Sequence, residues 1–444
     1  MKIFLYITIF LIALSSPTMG DFTSGKIEKL KWDELEVVYL EDSRFPMYTL
    51  MVYFADGALS DDSVKGLTQA SMDYLTLGTR RFSQKDIANN LEFFGAGFAP
   101  NVTHEYSTYM VSGLTKDISP TVKKICHLFQ DATYPVKELN REKKRILDSL
   151  ENMASNPGAL ASRVFREESL SDTPYSYPVD GKIRDIKKWN QKLLKKKLGY
   201  LNHTVKKRIY LAGPRDVLKI KNVINNECGW RGQGRFERVV TYKKPSKTSK
   251  PKITLVPVPK SNQAQVRIGK FLAQDEITNP ELMSLASSYL GGGFTSRLMR
   301  VLRVQNGLTY GVGAFAGGQK QYGRSGISTS TAIQNITKLL EKTKETLEKA
   351  NAGEITPSDL ERAKGSLAGS YPFGFESSAS YIGQLLYLDH VGRAYSELFK
   401  FPEIVMSFNA NQVAKESKTL YNWEDLHIVV IGPKSLLGEL KAFG

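Results

Sequence analysis

The chain has 444 residues, 41% of them hydrophobic. That is enough apolar material for a large core, and the length exceeds one ordinary domain, so two are expected. A formal charge of +16, from 61 Lys and Arg against 45 Asp and Glu, could draw nucleic acid or anionic headgroups; the basic residues are spread along the chain, however, and argue against a nucleic-acid-binding protein. Past residue 20 no apolar run approaches the ~20 residues a membrane helix needs, which argues against an integral membrane protein.

The N-terminus opens with Met1 and Lys2, runs apolar from residue 3 to 14, and closes on Ser15, Ser16, Pro17, Thr18, Met19 and Gly20. A basic start, a short apolar stretch and small residues form a cleavable signal peptide over residues 1–20. The mature protein is therefore expected outside the cytoplasm, in the periplasm or secreted. An alternating strand over 48–54 then precedes a helix over 69–75. Residues 87–94 read as a helix, and 98–102 with 106–114 as a hairpin. Helices follow over 120–128 and 136–154. Cys126 lies in an amphipathic helical pattern, which predicts a buried free thiol, although a bond to Cys228 is chemically open in an oxidising compartment. Of the five histidines no two lie within a helical turn. His104 and Glu105 form an H-E pair, but position 108 is Thr, so no metal motif follows. The run from 187 to 197 carries Trp189, Leu193, Leu194 and Leu198 at helical spacing, and reads as an amphipathic helix with a solvated basic face.

Residues 238–252 are rich in Lys, Ser and Pro and read as a linker between a first half, 21–237, and a second half, 253–444. The halves look alike. Arg208-Ile209-Tyr210-Leu211-Ala212-Gly213-Pro214 is echoed by His427-Ile428-Val429-Val430-Ile431-Gly432-Pro433, and a strand over 265–271 before a helix over 282–290 repeats the opening of the first half. Internal duplication is the economical explanation. With a strand over 327–332 and helices over 336–350 and 357–368, each half becomes a sheet against helices, so the fold class is α+β, repeated twice.

Between these elements lies Gly291-Gly292-Gly293-Phe294-Thr295-Ser296-Arg297-Leu298, followed by Arg303 and, seven positions on, Tyr310. Glycines let another backbone approach closely, while a guanidinium fork and a phenol suit an oxygen that gains negative charge. The string resembles the second half of the insulinase/pitrilysin family of zinc peptidases, where a G-G-G-x-x-S-R-L segment precedes an Arg/Tyr pair at this spacing. Thr173-Pro174-Tyr175 with Pro178 and Gly181 is similar to a further family segment.

The resemblance implies a zinc motif, H-x-x-E-H, in the first half. Here Gln69, Met72 and Asp73 stand in those places, and Ser149, flanked by Asp148 and Glu151, stands nearest the third ligand. Two imidazoles are lacking, so no metal is expected in this chain. The resemblance further implies two homologous domains clasping a clamshell chamber for unstructured peptides. Arg303 and Tyr310 then become catalytic in trans, with Gly291, Gly292, Gly293 and Phe294 binding substrate beside a zinc-bearing H-x-x-E-H paralogue. Two alternatives stand: a peptide-binding or scaffold subunit with no part in hydrolysis, and a self-sufficient peptidase using Asp73, Asp148 and Glu151.

Overall fold

The computed structural model describes residues 26–230, 232–235, 238–245 and 248–444, so the signal peptide expected over 1–20 and part of the linker lie outside the described residues. Eleven strands among them build two sheets. The first holds β1 (Ile27–Trp32), β2 (Leu35–Glu41), β3 (Met47–Phe54), β4 (Gly97–Val102), β5 (Ser107–Leu114) and β6 (Lys207–Gly213) in the order β1-β2-β6-β3-β5-β4. The second holds β7 (Lys252–Pro257), β8 (Gln263–Ala273), β9 (Val312–Gly318), β10 (Tyr322–Ala332) and β11 (His427–Gly432) in the order β7-β11-β8-β10-β9.

Apart from β1 the two orders are the same. The echoed strands β6 and β11 each lie between a parallel neighbour (β2 or β7) and an antiparallel one (β3 or β8). The duplication read from the Gly-Pro echo is thus a duplication of topology.

The halves do not keep to their own sides. Helix Pro157–Ser169, from the first half, packs on β8 and β11 of the second sheet, with Ala161 and Phe165 against Val429 and Ile431. Helix Ser378–Val391, from the second half, packs on β3 and β6 and adds Tyr381, Ile382, Leu385, Leu386 and Leu388 to the first core. This exchange explains why β11 is apolar on both faces: Ile428 and Val430 point into the second half's own core, Val429 and Ile431 into the borrowed helix. Phe165 fits because Gly269 and Gly326, opposite each other in β8 and β10, leave the sheet bare. A Cβ at Gly269 would stand 2.9 Å from its ring.

Two local expectations are corrected. The run around Lys197 is not wholly solvated: in helix Gln191–His203, Lys197 is buried, with its Nζ 2.6 Å from the Ser60 carbonyl and 3.2 Å from the buried Asp61 carboxylate. Asp61 also accepts from the backbone and hydroxyl of Thr68, and so fixes the start of helix Leu67–Asp73. The charge is buried because it is paired. Nor is Cys126 a free thiol. It is joined to Cys228, tying helix Ile118–Asp131 to the end of the first half.

The H-E pair has a structural role at the junction of the halves. Glu105 accepts from the backbone N–H groups of Lys320 and Gln321, in the β9–β10 turn, and lies 2.9 Å from His390 Nε2 of the exchanged helix. His104 contacts Tyr322 through Nδ1 at 3.3 Å and the Tyr177 carbonyl through Nε2 at 2.9 Å. Burial pushes the His104 imidazole down to about 4. Above its ordinary value of about 6.5 it is neutral in both folded and unfolded chain and favours neither. Between pH 6.5 and 4 the unfolded chain takes up a proton that the folded one refuses, so stability falls as pH falls. The loss from this one group is about 3 kcal/mol, complete near pH 4. His427, also pushed down to about 4, acts in the same direction, while Glu416, raised to about 7, opposes it. The contribution of His104 is isolated by comparison with His104→Asn. The stability advantage of the parent over the variant, from urea unfolding, should shrink between pH 6.5 and 4; a constant difference would contradict the assignment.

Candidate functional site

Two places carry the family's chemistry: the helix where a zinc motif would sit, and the Arg303/Tyr310 segment. In helix Leu67–Asp73, Met72 is 1% exposed and belongs to the first core. Gln69 donates its amide to the Asp73 carboxylate, one turn on, at 2.8 Å. Asp73 has its outer edge in water but sits in a recess of the protein. Desolvation there raises its carboxyl to about 6, against the lowering effects of Gln69 and Arg145. On helix Val136–Glu151 the charge that reaches Asp73 is that of Arg145, itself paired with Glu142 at 2.9 Å. Ser149, Asp148 and Glu151 are exposed further along this helix. Among the described residues no three His, Cys, Asp or Glu side chains gather where they could hold a metal ion. A core thioether, an amide spent on its neighbour and one carboxylate facing an arginine do not fit zinc.

The second place begins where helix Pro280–Gly291 ends. Its last residue lies so close to β9 that a Cβ on Gly291 would stand 2.2 Å from the Ala314 nitrogen. Gly291 is therefore a buried packing position. Gly292 and Gly293 are exposed. Gly293 has φ +139°, a conformation that favours glycine, and its carbonyl accepts from the N–H of Ser296. The chain then enters a wide π-helical segment, Met299–Gln305, braced by Arg300 on the buried Asp359 at 2.6 Å. Such segments are frequent at functional sites. A turn through Gly307, with φ +61°, brings the strand back. It is pinned by Thr309 and Thr329, whose hydroxyls lie 3.0 Å apart.

This path brings three of the expected residues together. The Arg303 guanidinium carbon lies 5.2 Å from the centre of the Phe294 ring and 4.8 Å from that of Tyr310. Each such contact contributes roughly 0.5–1 kcal/mol at an exposed site and, more importantly, orients the fork. Phe294 is 74% exposed and Tyr310 85%, and Val304 beside them is 72% exposed. Tyr310 is thus an outward residue and not a core tyrosine. An aromatic pair holding an arginine, with two bare glycines alongside, offers N–H and O–H donors to an oxygen arriving from outside the chain. The Asp359 brace was not read from the sequence, although Thr356-Pro357-Ser358-Asp359 marks a helix start.

A family model described as the peptidase M16 inactive domain matches residues 208–367, a stretch that includes Arg303 and Tyr310. The chain is 26% identical over 369 residues to a Helicobacter pylori protein named non-peptidase homolog YmxG, covering 80% of this chain and 81% of that one. It is 23% identical over 307 residues to the uncharacterized zinc protease YmxG of Bacillus subtilis, covering 68% and 73%. A solved peptidase M16 inactive domain from Pseudomonas fluorescens superposes with a TM-score of 0.82 at 23% identity, over 92% of this chain and 98% of that one, which shows the fold. No helix among the described residues is long and apolar enough to cross a membrane.

Proposed function

From the premise that this chain is an M16 peptidase homologue of the inactive type, we propose that it is the zinc-less subunit of a two-chain metallopeptidase, lending Arg303 and Tyr310 to a partner that carries H-x-x-E-H. The observation that carries this reading is the exposure of the Phe294–Arg303–Tyr310 cluster, in a chain whose own Met72 is turned into the core. Exposed donors of this kind, in a chain whose first-half helix does not fit zinc, favour a metal supplied by another chain. In that assembly the guanidinium and the phenol would donate to the carbonyl oxygen as it becomes an oxyanion, and the bare Gly292–Gly293 backbone would admit the peptide.

Export to the periplasm or the medium belongs to the same proposal. It is supported by the composition of residues 1–20 and by the Cys126–Cys228 disulfide, which suits an oxidising compartment.

The test is reconstitution. Hydrolysis of an unstructured peptide should be absent with this chain alone and appear when it is mixed with an H-x-x-E-H paralogue from the same organism. Hydrolysis by this chain alone, inhibited by a chelator, would overturn the proposal. So would a paralogue whose turnover is the same with and without it.

A further inference from the structure

A second site lies in the first half, in a cavity of about 270 Å³ lined from helix Gln84–Phe93, the turn before it and helix Ile118–Asp131. Helix Gln84–Phe93 buries only Ile87 and Leu91, and both line this cavity. Pro120 and Leu128 continue the apolar wall from the other helix, and Phe82, 41% exposed, forms its rim. Phe93, at the far end of the first helix, is 83% exposed. A helix of this length owes its stability to packing of an apolar face, and here part of that face borders a cavity.

Arg81, Lys123 and Lys124 line the same cavity, and among the described residues no carboxylate does. Lys123 is answered from outside it by Glu227 at 2.6 Å, which also meets His127 at 3.2 Å. Arg81 and Lys124 have no acidic partner among the described residues, the first being exposed and the second half-buried. The Lys124 Nζ stands 5.8 Å from the centre of the Phe82 ring and 6.0 Å from that of Phe94. These ring faces hold the ammonium beside the apolar opening without neutralising it. The Asn90 amide is spent on the Asp86 carbonyl, and the Asp86 carboxylate on Ser83.

An apolar cavity with unanswered positive charge on its solvent side fits a molecule with an apolar tail and an anionic head. The tail and the side chains it covers leave water together, while the head meets a guanidinium and an ammonium. The volume lies just below the ~300 Å³ at which small-ligand sites begin, which suits a single short chain and not a two-chain membrane lipid. We propose that this cavity binds a medium-chain fatty acid, its chain among Ile87, Leu91 and Leu128 and its carboxylate between Arg81 and Lys124. The site involves neither Arg303 nor a second chain, so it stands or falls separately from the subunit role above.

Calorimetric titration of the purified full chain tests it, with butanoate, octanoate, decanoate, decyltrimethylammonium and phosphatidylglycerol vesicles as probes. Affinity should rise about fourfold per methylene from octanoate to decanoate, with butanoate not binding. Decanoate should bind about tenfold more tightly than decyltrimethylammonium, which has the same chain and the opposite charge. The double variant Arg81→Gln/Lys124→Gln, altered only at positions open to solvent, should lose that preference and still bind both compounds. Absence of decanoate binding, affinity that ignores chain length, or a preference unchanged in the variant would each overturn the proposal. Vesicle binding without decanoate binding would assign the patch to a membrane surface and would overturn it as well.

Discussion

Replacing Arg303 by Ala should lower kcat of the reconstituted two-chain peptidase by about two to three orders of magnitude, with KM for peptide changing by less than about threefold. The asymmetry follows from when the interaction forms. A ground-state carbonyl needs little from a guanidinium, whereas an oxyanion in a water-poor site needs a great deal, so the loss falls on the transition state. Tyr310→Phe keeps the ring beside Arg303, 4.8 Å from its guanidinium carbon, and removes only the hydroxyl. Its kcat should fall by a smaller factor, near tenfold. A raised KM at unchanged kcat would make the pair a peptide clamp. No effect from either substitution would leave only the scaffold role.

Loss of the Cys126–Cys228 disulfide should destabilise the chain by about 4 kcal/mol. The bridge closes a loop across 102 positions, and the constraint it places on the unfolded chain grows with loop length. It also fastens helix Ile118–Asp131 to the segment around Cys228, where Gln130 donates to the Cys228 carbonyl at 2.6 Å. The measurement is the urea midpoint of the Cys126→Ala/Cys228→Ala variant against the oxidised parent, with the reduced parent matching the variant. Coincident curves for all three would contradict the assignment.

Much of the fold was legible because its signals are local. The alternation over 48–54 became β3 and the two Gly-Pro endings became β6 and β11, since a strand buried on one or both faces writes that burial into successive residues. Helices Ile336–Asn351 and Pro357–Ser370 start where the sequence placed them. The exchange of helices was not legible. Phe165 and Tyr381 read as ordinary apolar residues, and nothing in their own neighbourhood says that the sheet they cover belongs to the other half. The pairing of Cys126 with Cys228 was hidden for the same reason, because proximity across 102 positions leaves no periodic trace.

The residues of the candidate site stood out in the sequence more than those that brace them. Arg303 and Tyr310 stood out through their glycine punctuation, and the structure adds that Phe294 holds the same guanidinium. Gly291 carried the same motif signal yet serves packing against Ala314, since a glycine required by a close backbone and one required by a ligand look alike in sequence. Arg81 and Lys124 lie on separate elements with no shared motif, and only the folded chain brings them to one cavity.

The most direct test of the subunit assignment is native mass spectrometry of whatever remains bound to this chain after affinity purification at low salt from the organism that makes it. A one-to-one complex with a chain of similar length that carries H-x-x-E-H is expected, with one zinc ion per complex, lost together with that companion. Recovery of this chain alone, or with a tightly bound zinc of its own, would contradict it.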